Sequence, residues 1–217
     1  MTDCAPRIVL KVVYCGPAMS GKTTNLLALQ QRLAPQRGGA LMQLESQDDR
    51  TLFFDLWPIG FRQAHGVDLR IKVYTVPGQH ELDSTRQAIL QAADGLIFVA
   101  HSDPTLQGEN LAALEVLRHN LAVVGADLDE LPMVLQFNKR DLPGALSRDQ
   151  LAAAWTATPW WPAVLSTALA GEGVVETFEW LMRRLYGELN RHHSLLMQHG
   201  IAERTFIERL CRAGVRT

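Results

Sequence analysis

Strand-like and helix-like segments alternate along almost the whole chain, and that alternation restricts it to a mostly parallel α/β sheet. Residues 7–15 (RIVLKVVYC) are β-branched and apolar, as a strand covered on both faces requires. Residues 22–33 follow with Leu26, Leu27, Leu29 and Leu33 at helical spacing, until Pro35 and Gly38-Gly39 end the pattern. Further strands are expected at 52–57, 69–76, 95–101, 132–138 and 162–166, and further helices at 80–93, 106–123, 147–155 and 174–189. Pro58, Gly60 and Gly66 make 52–57 and 69–76 a hairpin-like antiparallel excursion. Leu111, Leu114, Leu117 and Leu121 lie on one stripe of their helix, and Ser147 is placed to cap the next. Right-handed crossovers then give three layers: a mostly parallel six-stranded sheet with helices on both faces. With 217 residues the expected division is one domain over 1–190 and a helical extension over 191–217.

Composition narrows the class of function. The 21 Lys+Arg against 23 Asp+Glu, with 47% apolar residues, exclude a disordered chain and give no general attraction to nucleic acid. The longest apolar runs are strand-sized, so no transmembrane segment is expected. Met1-Thr2-Asp3-Cys4 shows neither a basic-then-apolar leader nor a myristoylation glycine, and Cys4, Cys15 and Cys211 are spaced as separate reduced thiols. The expectation is a cytoplasmic protein.

In such a sheet ligands bind beyond the carboxyl ends of the strands, here the loops after Cys15, Val76, Asn138 and Ser166. The first loop, Gly16-Pro17-Ala18-Met19-Ser20-Gly21-Lys22-Thr23, matches G-x-x-x-x-G-K-[ST] between a strand and a helix. Its backbone N–H groups, from Gly16, Ala18, Met19, Ser20 and Gly21 into Thr24 of the helix, can wrap a β-phosphate. Lys22 supplies a charge to the β- and γ-phosphates, and the Thr23 hydroxyl can ligate Mg²⁺. The loop alone does not distinguish ATP from GTP. Asn138-Lys139-Arg140-Asp141 supplies the distinction, because the Asp141 carboxylate can accept from the guanine N1–H and 2-amino group, both missing from adenine. Lys139 can lay its stem over the base, and Asn138 ties the segment to neighbouring loops. In the last loop, Thr167 and Ala168 are candidates to meet the guanine carbonyl.

At these residues the chain resembles the small Ras-like GTPases, and within them the bacterial MglA type that governs cell polarity and gliding motility. The resemblance rests on GPAMSGKTTN (16–25), DRTLFFD (49–55), YTVPGQ (74–79), DGLIFVAHS (94–102), FNKRDLP (137–143) and GEGVVETF (171–178). Thr75 is the discriminating position, since most Ras relatives have Asp there and the MglA type is similar to this chain in having Thr. The resemblance implies a three-layer P-loop NTPase fold, a Ras-like G domain that binds GTP or GDP with Mg²⁺ and hydrolyses GTP. It implies Thr51 as the second protein ligand of Mg²⁺, Gly78 as an amide donor to the γ-phosphate, Gln79 as the residue orienting the attacking water, and Arg50 as an arginine finger supplied in cis. It also implies a Roadblock-type activating protein, an MglB-like homodimer, and effectors that bind the switch regions in the GTP state. Such effectors can recruit the protein to a cell pole or membrane.

Two positions depart from the common pattern. Ala18 stands where the family usually has Gly, and its methyl would crowd the approach of Gln79 and Arg50, which argues for slow turnover. Thr75 in place of Asp removes a hydrogen bond to water held by the metal. Phe53, Phe54, Trp57 and Phe61 divide between core packing and a partner surface. In the tail, Ile201, Phe206, Ile207, Leu210 and Cys211 recur at helical spacing, which suits either a helix folded back on the domain or a docking element for effectors. Two competing readings remain: an ATP-using P-loop enzyme, and a GTP-bound scaffold with negligible hydrolysis.

Overall fold

The computed structural model describes residues 7–33, 42–45, 51–62, 67–76 and 83–211, with 42–45 and 51–62 described by their backbone. Seven strands form one sheet: β1 (Arg7–Cys15), β2 (Met42–Glu45), β3 (Thr51–Arg62), β4 (Asp68–Thr75), β5 (Gly95–His101), β6 (Met133–Asn138) and β7 (Val164–Leu165). Their order is β2-β3-β4-β1-β5-β6-β7. The five from β4 to β7 are parallel, and β2 and β3 add an antiparallel flank. The expected six strands are therefore seven. Met42–Glu45 (MQLE) is too short and too polar to announce itself in the sequence, and it is a strand by pairing with β3.

Alternation along the central strands sorts their side chains into two cores. Ile8, Leu10, Val12 and Tyr14 of β1 face α1 (Lys22–Leu33) and α5 (Val174–His193), while Val13 and Cys15 face the opposite side with α2 (Asp83–Leu90), α3 (Gln107–Val123) and α4 (Arg148–Trp155). Ser147 caps α4 through a reciprocal capping box with Gln150. Leu114, Leu117 and Leu121 are buried as expected, but Leu111 is 55% exposed. Steps of three residues fall about 60° short of a full turn, so Leu111 rotates out and Asn110 takes its place on the buried face.

Helix α5 continues to His193, past the expected boundary at 190, and ends where Ser194 turns left-handed at φ 48°. A short α6 (Leu195–His199) and α7 (Glu203–Cys211) follow. Leu195, Ile201, Phe206, Ile207, Leu210 and Cys211 are buried in the core shared by β1, β4, α1 and α5. Helix α7 lies against α5 and β3.

Candidate functional site

The phosphate loop leaves β1 through Gly16, whose φ of 131° excludes other residues. A Cβ there would stand 2.2 Å from the Val99 carbonyl oxygen of β5, so the loop rests directly on the neighbouring strand. Met19 (φ 55°) and Gly21 (φ 95°) complete the curl, and α1 starts at Lys22. Ala18 and Met19 are exposed, whereas Ser20 and Lys22 are buried. Among the described residues the N–H groups of Ala18, Met19 and Gly21 have no hydrogen-bond partner, as an anion cradle requires.

Lys22 folds its ammonium into the loop, donating to the carbonyl oxygens of Gly16 (3.0 Å) and Pro17 (2.6 Å). Burial pushes its pKa down to about 8, partly offset by Cys15 and reinforced by Arg86. A buried cation with only carbonyl partners is poised to meet an anion.

Asn138, at the end of β6, joins three loops. Its Nδ2 donates to the Ser20 carbonyl of the phosphate loop (2.8 Å), and its Oδ1 accepts from the Ala168 amide (2.9 Å) and the Ser166 hydroxyl (3.1 Å). Its own carbonyl accepts from the Ser102 hydroxyl at 2.6 Å. Lys139 follows in the left-handed region at φ 64°, half-buried, and Asp141 is exposed at the rim. The Ala168 amide is thus already given to Asn138, and a base carbonyl meeting it would share that donor. Thr167 is half-buried beside it, bridged to Glu172 through the backbone. The structure therefore brings together Gly16, Ala18, Met19, Ser20, Gly21, Lys22, Asn138, Thr167 and Ala168. Thr23 and Thr24 lie in the first turn of α1, and Lys139 and Asp141 directly beyond β6.

Beneath this surface runs a buried polar chain. Gln136 Nε2 donates to Asn25 Oδ1 (2.9 Å) and to Thr177 Oγ1 (2.7 Å). Asn25 in turn donates to the Gly21 carbonyl (2.9 Å), and Thr177 to the Gly173 carbonyl (2.6 Å). It links the phosphate loop to the loop after β7. From sequence no role attaches to this chain or to His101 and Ser102 at the end of β5, although these two lie in the DGLIFVAHS stretch and β5 delivers its carboxyl end to the same edge as β1 and β6. His101 Nε2 lies 3.0 Å from the Ala18 carbonyl oxygen.

Arg50, Gly78 and Gln79 lie outside the described residues. Thr51 is described only as the first backbone position of β3, and Phe53, Phe54, Trp57 and Phe61 likewise by backbone alone. For Mg²⁺ the donor set fits: half-buried Thr23, in the first turn of α1 directly after the loop, supplies a hard oxygen, and this ion ordinarily takes few protein ligands beside phosphate oxygens and water. Among the described residues no group of three or more His, Cys, Asp or Glu is placed to hold a metal.

Comparison with known proteins identifies the family. The model of the ADP-ribosylation factor (Arf) family matches residues 6–185. The mutual gliding-motility protein MglA of Myxococcus xanthus is 40% identical over 183 residues, covering 83% of this chain and 92% of that protein. ADP-ribosylation factor-like protein 3 of Chlamydomonas reinhardtii is 25% identical, over 81% of this chain and 90% of its own length. The chain therefore belongs to the Arf family of small Ras-like GTPases, in its MglA group.

Proposed function

We propose that the protein is a Mg²⁺-dependent switch that binds GTP, hydrolyses it to GDP and engages effectors in the triphosphate state, acting in bacterial motility or cell polarity. The observation that carries this reading is the Asn138–Ser20 hydrogen bond, which sets the phosphate cradle and the Asp141 segment side by side at one edge of the sheet. Thr23 and Thr51 would hold the ion, which when bound neutralises charge on the β- and γ-phosphates. The loop amides and Lys22 bind the phosphates, Asp141 accepts from the base, and Lys139 covers it. Gln79 orients water, Gly78 donates to the γ-phosphate and Arg50 neutralises charge developing there, an effect worth about 10³–10⁵ in rate. A Roadblock-type homodimer is the proposed activator, and effectors bind the switch segments. The relative's gliding-motility role is the support for the cellular assignment.

The exposed Ala18 favours a second reading, a GTP-bound scaffold with little hydrolysis, because its methyl stands at the mouth of the cradle. Competition for bound fluorescent GDP tests the common part: GTP displaces it, and ATP at comparable concentration does not. Displacement by ATP overturns guanine specificity. Single-turnover phosphate release, with and without the Roadblock-type protein, separates switch from scaffold. Release should slow at least about tenfold in Gln79→Ala and Arg50→Ala, and unchanged rates would remove those two roles.

A further inference from the structure

The carbonyl of Ala18 is held from behind by an imidazole. A carbonyl oxygen only accepts, so at 3.0 Å His101 Nε2 must carry the proton. Nδ1 of the same ring is buried and has no partner. Protonating it would bury an N–H without an acceptor, in a ring already facing Lys22 and Lys139, with Glu109 and Asp103 the carboxylates that interact with it among the described residues. Burial accordingly holds this imidazole below the ordinary histidine pKa. The ring is neutral, with its proton on Nε2.

His101 is itself fixed from both sides. Its N–H donates to Asn110 Oδ1 at 2.8 Å, and its C=O accepts from Asn110 Nδ2 at 3.0 Å and Gln107 Nε2 at 3.1 Å. Asn110 is wholly buried in α3. The histidine thus transmits the position of β5 and α3 to the exposed apex of the phosphate loop.

We propose that His101 is a positioning residue for nucleotide binding, acting through the Ala18–Met19 peptide. In a trans peptide the C=O and the following N–H point opposite ways. Anchoring the Ala18 oxygen against β5 therefore turns the unpartnered Met19 N–H outward, toward where a phosphate is cradled, and polarises it as a donor. Lys22 anchors the Gly16 and Pro17 carbonyls of the same loop, but its ammonium is shared with any phosphate that arrives. The imidazole makes no other hydrogen bond through its ring among the described residues, so its hold is not shared in this way. The proposal rests on the guanine-nucleotide reading above.

The test uses the full chain. Dissociation of fluorescent GDP from His101→Leu should be faster by roughly tenfold, the loss of one buried hydrogen bond to the cradle. His101→Gln, whose Nε2 can reach the same carbonyl, should restore the rate to within about twofold of the parent. Equal rates in all three proteins, or equal acceleration by Leu and Gln, overturn the proposal. Nitrogen-15 spectra of the histidine-labelled parent should show the His101 ring neutral at pH 7 with its proton on Nε2. A proton on Nδ1, or an imidazolium, overturns it without any substitution. If His101→Leu does not fold, the ring spectrum and the Gln variant decide. A parent that retains no guanine nucleotide fails the functional reading instead, and the ring spectrum still tests the contact.

Discussion

Asn138 uses both ends of its side-chain amide, and its partners come from two other stretches of chain, Ser20 in one and Ser166 with Ala168 in the other. Truncation to Ala leaves the Ser20 carbonyl and the buried Ala168 amide unpaired at once. Asn138→Ala should therefore cost about 2–4 kcal/mol by urea unfolding, with guanine-nucleotide affinity falling in parallel. Asn138→Asp should recover little, because a carboxylate keeps the acceptor for Ala168 but faces the Ser20 carbonyl with no donor. The N-K-x-D spacing made this residue legible in advance, including its role as a tie between loops. His101 was not legible, since its partner lies 83 positions away and the interaction is with a backbone atom, which leaves no trace in residue type. The amphipathic pattern of a strand end says that a side chain is buried, not which carbonyl it meets.

Among the secondary elements, α7 shows how far periodicity reaches. Spacing alone located a helix with Phe206, Ile207, Leu210 and Cys211 on one side, and left open whether that side meets the domain or a partner. In the structure Phe206 is fully buried, its ring 5.4 Å from that of Tyr186, whose hydroxyl donates to the Ile201 carbonyl at 2.8 Å. Phe206→Ala should destabilise the protein by about 3–5 kcal/mol. Met197→Ala, at a residue 87% exposed, should stay within about 0.5 kcal/mol of the parent in the same denaturant titration. The long strands and helices were legible because each keeps one period over many residues. The edge strand β2 and the rotation of Leu111 were not, because four residues define no period and three-residue spacing drifts around a helix.

Across the whole molecule, titratable groups along and just beyond β1 oppose one another in alkaline solution. Burial raises Cys15 from 9.0 to about 12 and also raises Tyr14, while Lys22 is lowered to about 8. A thiol that ionises later in the folded state gives stability present below pH 9 and lost as pH climbs toward 12. For Lys22 the sign reverses: the folded form sheds its proton first, so stability is gained as pH rises from about 8 toward 10.5. Comparing the parent with Cys15→Ala isolates the first contribution. The parent's advantage should shrink by about 1.4 kcal/mol per unit between roughly pH 9 and pH 11, read from urea midpoints. A constant difference would mean that Cys15 titrates as in the unfolded chain.

The sheet order places the phosphate loop, the asparagine tie and the loop after β7 at the ends of β1, β5, β6 and β7, all parallel, with β5 and β6 buried throughout and Gly16 seated against β5. The residues implied in sensing the third phosphate instead border β3 and β4, where the antiparallel ladder breaks register between Leu56 and Ile59. Among the described residues, register shifts occur only between the antiparallel strands β2, β3 and β4, while the parallel pairs keep theirs. On the roles proposed for Thr51, Gly78 and Gln79, a difference between diphosphate and triphosphate is expressed in that antiparallel flank, and a partner that discriminates between them is expected to touch it.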